Sequence, residues 1–350
     1  MPTETPTETP TETTRTPALA SRPVASSVDE LLAGASHREP FLTSDSKSGS
    51  GFERVVVDGV PHVLKHVHPD RDWTMRFNHD VGCHPVQVWA AGLMDSYPER
   101  IDHATVAVAG GLGRNGWGGA ILMRDVGADL TPPGDTPLDH PTHTRHLADI
   151  AGLSARMLGW RDTVGLVPLA ARWGWFGPAC LAAEAARGWP DLVPRIAEQG
   201  WGRFAERAPR PVRDVVDALR RDPGPLVAAV ASTPMTFVHG DWKLGNVGTG
   251  RDGRTVLLDW TYPGEAPPCY ELAWYLVLNS SRLPTSKEAT IAEFRAALER
   301  HGVDTASWYE RQAAICLLGA LVIFGWEKAL GSDAELHWWC RRAVEGARWL

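Results

Sequence analysis

Apolar and polar positions along the chain fall into two regimes. Residues 52–57 and 60–67 alternate about an Asp58-Gly59 turn, which predicts a β-hairpin. Residues 104–109 and 120–123 read as two further strands joined by a glycine-rich turn, and 70–95 as partly helical. Ser27, with Glu30 three residues later, fits a capping box opening a short helix through Leu31 and Leu32. Later the spacing lengthens to that of helices. Leu147, Ile150, Ala151 and Leu158 form one stripe; Val212, Val215, Val216 and Leu219 follow Pro211 as a first helical residue. Ile291, Phe294, Leu298 and His301 mark another helix, and 313–330 and 334–350 close the chain. A small β region, 236–238 and then 256–258 after an Asp252-Gly253 turn, interrupts the helices. Strands first, helices later and one inserted hairpin predict an α+β, two-lobed molecule.

The length of 350 residues agrees with two lobes. The expected division is a Pro/Thr/Glu tail over residues 1–25, an N-terminal lobe over 26–126 and a C-terminal lobe over 127–350. The tail repeats Pro-Thr-Glu-Thr between Pro2 and Thr13, and is expected to be disordered because it has almost no apolar surface to bury. A net charge of −7 argues against nucleic acid as a partner. The longest apolar run, residues 313–326, falls short of the roughly 18 residues of a membrane span, so it reads as a buried helix and no membrane partner is expected. Five cysteines, odd in number and without a CxxC pair, predict buried thiols in a reducing compartment. The N-terminus has no charged-then-apolar leader pattern, and a cytoplasmic location is the expectation.

Of 35 basic residues only Lys47, Lys65, Lys243, Lys287 and Lys328 are lysines. Where arginine is the default, a lysine marks a position at which a compact ammonium serves better than a guanidinium. One of them lies in the most informative stretch, Phe237-Val238-His239-Gly240-Asp241-Trp242-Lys243-Leu244-Gly245-Asn246-Val247. Asp241, Lys243 and Asn246 share a loop between strands, and Asp259 ends the next strand. Phosphoryl transfer needs such parts: a carboxylate for the attacking hydroxyl, oxygen ligands for Mg²⁺ and a cation at the moving phosphoryl group.

His239-Gly240-Asp241, Asn246 and Leu258-Asp259-Trp260 together resemble the catalytic segment of the aminoglycoside phosphotransferase and choline kinase group of the protein-kinase-like superfamily. The resemblance runs from about residue 45 to the C-terminus. It implies a small β-rich nucleotide-binding lobe, a larger helical catalytic lobe, and ATP- and Mg²⁺-dependent transfer to a hydroxyl of a small molecule. Asp241 would be the catalytic base, Lys243 a γ-phosphate contact, and Asn246 and Asp259 the metal ligands. Val63-Leu64-Lys65-His66-Val67 resembles the strand whose lysine pairs the α- and β-phosphates. Ser48, Gly49, Ser50 and Gly51 resemble a phosphate-covering turn, although Arg54 stands where a third glycine is usual and the stretch also reads as an ordinary flexible turn. Met123 falls at the hinge that would meet adenine. Two departures stand out. No Glu lies between Lys65 and Tyr97 to hold the lysine, leaving Asp80 and then Asp72 as substitutes, and Glu271 replaces an Asp of structural role. A non-catalytic nucleotide-binding relative and a protein kinase are the rival readings. The second lacks Asp-Phe-Gly and Ala-Pro-Glu signals.

Two further patterns are set aside. Gly111-Leu112-Gly113-Arg114-Asn115-Gly116 fits a dinucleotide fingerprint in letters, but a strand follows it, so it reads as a hairpin turn. His140, His143 and His146 with Asp139 read as a surface loop entering a helix rather than a metal cluster. For the acceptor, residues 160–210 are the expected segment. They carry Trp160, Trp173, Trp175, Phe176, Trp189 and Trp201, and seven Arg against five acidic residues. Such a wall does not suit a polycation. Its rings either fill the core or stack on a sugar, a nucleoside or another amphipathic ring. Glu265 and Glu271 are the alternative source of acidity.

Overall fold

A computed structural model describes residues 20–42 and 47–350. The Pro2–Thr13 repeat and part of the 44–51 turn lie outside them. The described chain is an N-terminal antiparallel sheet followed by a larger helical part, the predicted α+β plan.

The sheet has strands β1 (Ala35–Phe41), β2 (Gly51–Val57), β3 (Val60–Val67), β5 (Thr105–Leu112) and β6 (Gly118–Arg124), with β4 (Ile101–Asp102) outside it. Its order is β1-β2-β3-β6-β5, every pair antiparallel. Asp58 and Gly59 both take left-handed backbone at the β2–β3 turn, as a type I′ hairpin requires. The period of two then sorts the side chains. Leu64, Val55, Ala109, Ala120 and Leu122 form a small core on one face with Leu31 and Leu32. Lys65, paired in register with Phe52 and Ile121, points to the other face, toward the helices. Gly111, Gly113 and Gly116 shape the β5–β6 connection, so the fingerprint-like letters are a hairpin turn.

Residues 20–25 were expected within the tail, but they dock. The Trp89 indole donates to the Pro23 carbonyl, and Ala25 bridges Ala109. Helices Trp73–Phe77 and His84–Ala90 lie between β3 and β5 in the chain, and Trp73, Met75, Val88 and Trp89 share the main core with the helical part.

The long helix Tyr309–Leu330 runs through that main core, buried on nearly every side. It is long and apolar enough to cross a membrane, but 83% of its most apolar window is covered by the rest of the protein. Short strands present the chemistry-bearing loops. Strand β7 (Thr236–Val238) pairs with β10 (Gly264–Ala266), and β9 (Thr255–Leu257) lies between β4 and β8 (Val247–Thr249). The histidine segment differs from expectation. Asp139 caps a helix over His140–Arg156, and its apolar stripe carries His143 and His146 into the interior, where His143 meets the Tyr275 hydroxyl at 2.9 Å. The five cysteines are free thiols, four of them buried.

Candidate active site

Two loops and one strand converge on a cavity of about 420 Å³ between the sheet and the helices. Strand β7 ends at Val238, and the chain turns at Gly240, whose φ is +84°. A Cβ there would lie 2.0 Å from the Tyr262 carbonyl oxygen, so only glycine allows this turn. The turn delivers Asp241 to the cavity with its carboxylate buried. Asn246 Nδ2 donates to Oδ2 at 2.7 Å, the Trp274 indole N–H to Oδ1 at 3.0 Å, and the Lys243 ammonium lies 3.2 Å from Oδ2. Burial pushes the Asp241 carboxyl up; the Lys243 cation opposes the rise, the Asp259 charge adds to it, and the Trp274 bond opposes it.

The loop is fastened from beneath. His239 Nδ1 accepts the Asp241 N–H at 3.2 Å, and burial holds its ring down at about 3. The Glu271 carboxylate, wholly buried, accepts the Gly240 N–H at 3.0 Å. Burial raises its carboxyl to about 7 against those backbone bonds. The extra methylene relative to Asp does not prevent Glu271 from holding the loop.

Asp259 follows β9 in left-handed backbone, φ +64°, a conformation Asp tolerates better than most residues. Its Oδ1 accepts the Lys65 ammonium at 2.8 Å. Burial works against its charge, but Lys65 and Lys243 hold it well below the usual carboxylate range. Lys65 thus takes its ionic partner from the far side of the cavity. Of the two acids expected to hold it, Asp80 instead caps the His84 N–H at 2.9 Å. Asp72 caps the helix Trp73–Phe77 and accepts Ser50 Oγ at 3.0 Å, close enough for the Lys65 charge to oppose the rise that burial imposes on it.

Ser48, Lys65, Met123, Asp241, Lys243, Asn246 and Asp259 all line the cavity. Gly49, Ser50 and Gly51 do not. Gly49 packs on the Arg71 backbone, and Gly51 opens β2 opposite His66. Asn246 commits its Nδ2 to Asp241, so its amide oxygen and the Asp259 carboxylate are hard donors of the kind Mg²⁺ takes.

Beyond Asp241 the wall is aromatic. Trp175 and Phe176 come from the expected acceptor segment, whereas Trp160, Trp173 and Trp201 are core. Trp73, Tyr262, Trp274 and Trp326 reach the wall from three helices and one loop outside that segment and were not foreseen. The proposed acidic sources do not reach it either. Glu265 pairs with Arg161 at 2.5 Å, and Glu271 lies under the loop.

Sheet, helical part and loop geometry define a kinase-like phosphotransferase fold. The model of the APH phosphotransferase enzyme family matches residues 89–311, and the chain belongs to that family. That match includes Asp241, Asn246 and Asp259 and leaves Lys65 outside. A solved structure agrees in fold, and others are similar over most of their length. The choline kinase LicA of Streptococcus pneumoniae, in its complex with AMP, is 13% identical with a TM-score of 0.51, over 92% of this chain and 96% of its own. A thermostable mutant of the aminoglycoside phosphotransferase APH(4)-Ia is 14% identical, TM-score 0.47, over 92% and 97%. A microcompartment-associated aminopropanol kinase is 12% identical, TM-score 0.47, over 89% and 90%. No curated protein sequence matches the chain.

Proposed function

We propose that the protein transfers the γ-phosphoryl group of ATP to a hydroxyl of a small molecule, with Mg²⁺. The observation that carries this reading is the meeting, on one cavity, of a buried carboxylate, two ammonium groups and two hard oxygen donors. Asp241 accepts the acceptor's proton as its oxygen bonds to the γ-phosphorus and the bond to the β-bridging oxygen breaks, releasing ADP. Trp274 and Asn246 fix the orientation of that carboxylate before substrate arrives. Lys243, 3.2 Å from Asp241, is positioned to meet charge on the transferring group. Lys65 serves the α- and β-phosphates while remaining beside Asp259. Asn246 and Asp259 would hold the metal, which would supply positive charge to offset that of the phosphates. Phe52, Met123, Leu130 and Leu258 are apolar lining residues suited to the adenine ring, and Ser48, which also lines the cavity, would meet the phosphates.

The test is ADP formation on a panel of hydroxyl compounds, with and without Mg²⁺, by the wild type and Asp241→Ala. The reading predicts Mg²⁺-dependent turnover that Asp241→Ala loses. Equal turnover by both proteins would remove Asp241 from the mechanism.

A further inference from the structure

We propose that the acceptor is an uncharged alcohol built on a ring, aromatic or alicyclic. The inference rests on the phosphotransfer reading and names the class of compound its aromatic wall selects.

The first argument is shape and surface. Past Asp241 the cavity runs between Trp73, Trp175, Tyr262, Trp274, Phe324 and Trp326. These rings lock one another at steep angles. Trp175 meets Tyr262 at 4.6 Å and 87°, and Trp274 meets Phe324 at 5.1 Å and 74°. Phe176 meets Trp326 at 5.2 Å and 60°. Edge-to-face packing of this kind holds each ring in one orientation, so the wall is a preformed apolar surface.

The second argument is charge. Lys47, Lys65 and Lys243 line the cavity against Asp241, Asp259 and Glu327, three cations for three anions. Two of the carboxylates are engaged, Asp241 with Lys243, Asn246 and Trp274, and Asp259 with Lys65; Glu327 lies 2.7 Å from the Lys328 ammonium, which donates to the Val277 carbonyl, and stays half-exposed. Acids behind the wall are spent as well. Glu184 and Asp191 bind Arg76. A polycation entering here would shed water from several ammonium groups and meet one half-exposed carboxylate, Glu327, which is unfavourable. An uncharged ring loses little on entry and gains contact on every side.

The third argument is register. Trp274 lines the wall and also donates its indole N–H to Asp241. A ring resting on Trp274 therefore carries a neighbouring hydroxyl to the base, so one side chain sets both the body and the reacting atom of the acceptor.

The experiment compares four probes on the wild type by ligand-observed NMR: 2-phenylethanol, cyclohexylmethanol, choline and the polycation kanamycin. The same titrations are run on Trp326→Ala and on Val193→Trp, which narrows the cavity from a partly buried position and spares the packed rings. Both ring alcohols are expected to bind at least about tenfold more tightly than choline or kanamycin, and both variants to weaken them about tenfold with ATP affinity retained. Tighter binding of choline or kanamycin, no preference among the probes, or ring-alcohol binding unaffected by Val193→Trp overturns the proposal. Binding is read without turnover, so this result is separate from that of Asp241→Ala, which decides the phosphotransfer reading alone.

Discussion

Trp274 gives Asp241 a hydrogen bond that a phenyl ring cannot. Its loss removes one of the interactions opposing the rise that burial imposes on that carboxyl. A base must be ionised to act, so activity falls as pH drops through its pKa. Trp274→Phe is therefore expected to move the acid limb of the kcat/KM profile to higher pH while ATP KM stays unchanged. A profile that keeps its shape and position assigns Trp274 to packing alone. Glu271 offers a stability counterpart. Its carboxyl is raised from 4.5 to about 7, so folding takes up a proton between those values and stability declines as pH rises through the window. Glu271→Gln keeps an acceptor for the Gly240 N–H and removes the titration. Denaturant midpoints at about pH 5 and about pH 7.5 are expected to differ less in the variant than in the wild type. At this scale the sequence was partly legible. Scarcity of lysine singled out Lys65 and Lys243, and spacing singled out Asp241, Asn246 and Asp259. Trp274 was not legible, because a tryptophan three residues after Glu271 on an apolar helix looks like any core residue until its indole N–H is placed.

Element by element, the longer strands with a buried face were visible, whereas the exposed strand β1 and the three-residue strands β8 and β10 were not. Residues 52–57 and 60–67 alternate and were read as β2 and β3. Strand β1, Ala35–Phe41, is exposed along most of its length and holds Pro40 at the sheet edge, so no apolar period marks it. The aromatic wall was missed for another reason. It is assembled by tertiary contact between the helix Trp73–Phe77, the 175–176 turn and the helices Pro268–Asn279 and Tyr309–Leu330, which no local pattern joins. Arg76 ties the first of these to the rest. Its buried guanidinium binds Glu184 through two nitrogens, at 2.6 and 2.8 Å, and Asp191 at 2.6 Å. Arg76→Ala leaves Glu184 buried without its partner. The expected loss of stability is about 3 kcal/mol by denaturant unfolding, with Trp73 displaced from the wall. An unchanged midpoint would show that the carboxylates find other partners.

Across the whole molecule, the sheet and the helical part are joined at the cavity by Lys65 and Asp259, 194 residues apart in sequence. The α+β plan followed from the order of strands and helices, but this pairing did not, because the missing small-lobe Glu directed attention to acids near Lys65 in the chain. The pairing joins the two walls of one space, and the roles proposed for Lys65 toward the nucleotide and for Asp241 toward the acceptor separate in kinetics. The most direct test is a KM-against-kcat split measured in one assay on Asp241→Asn and Lys65→Met. Asp241→Asn is predicted to lower kcat by about 10²–10⁴-fold and leave ATP KM near the wild-type value, while Lys65→Met raises ATP KM. Retention of wild-type kcat by Asp241→Asn would contradict the account at its centre.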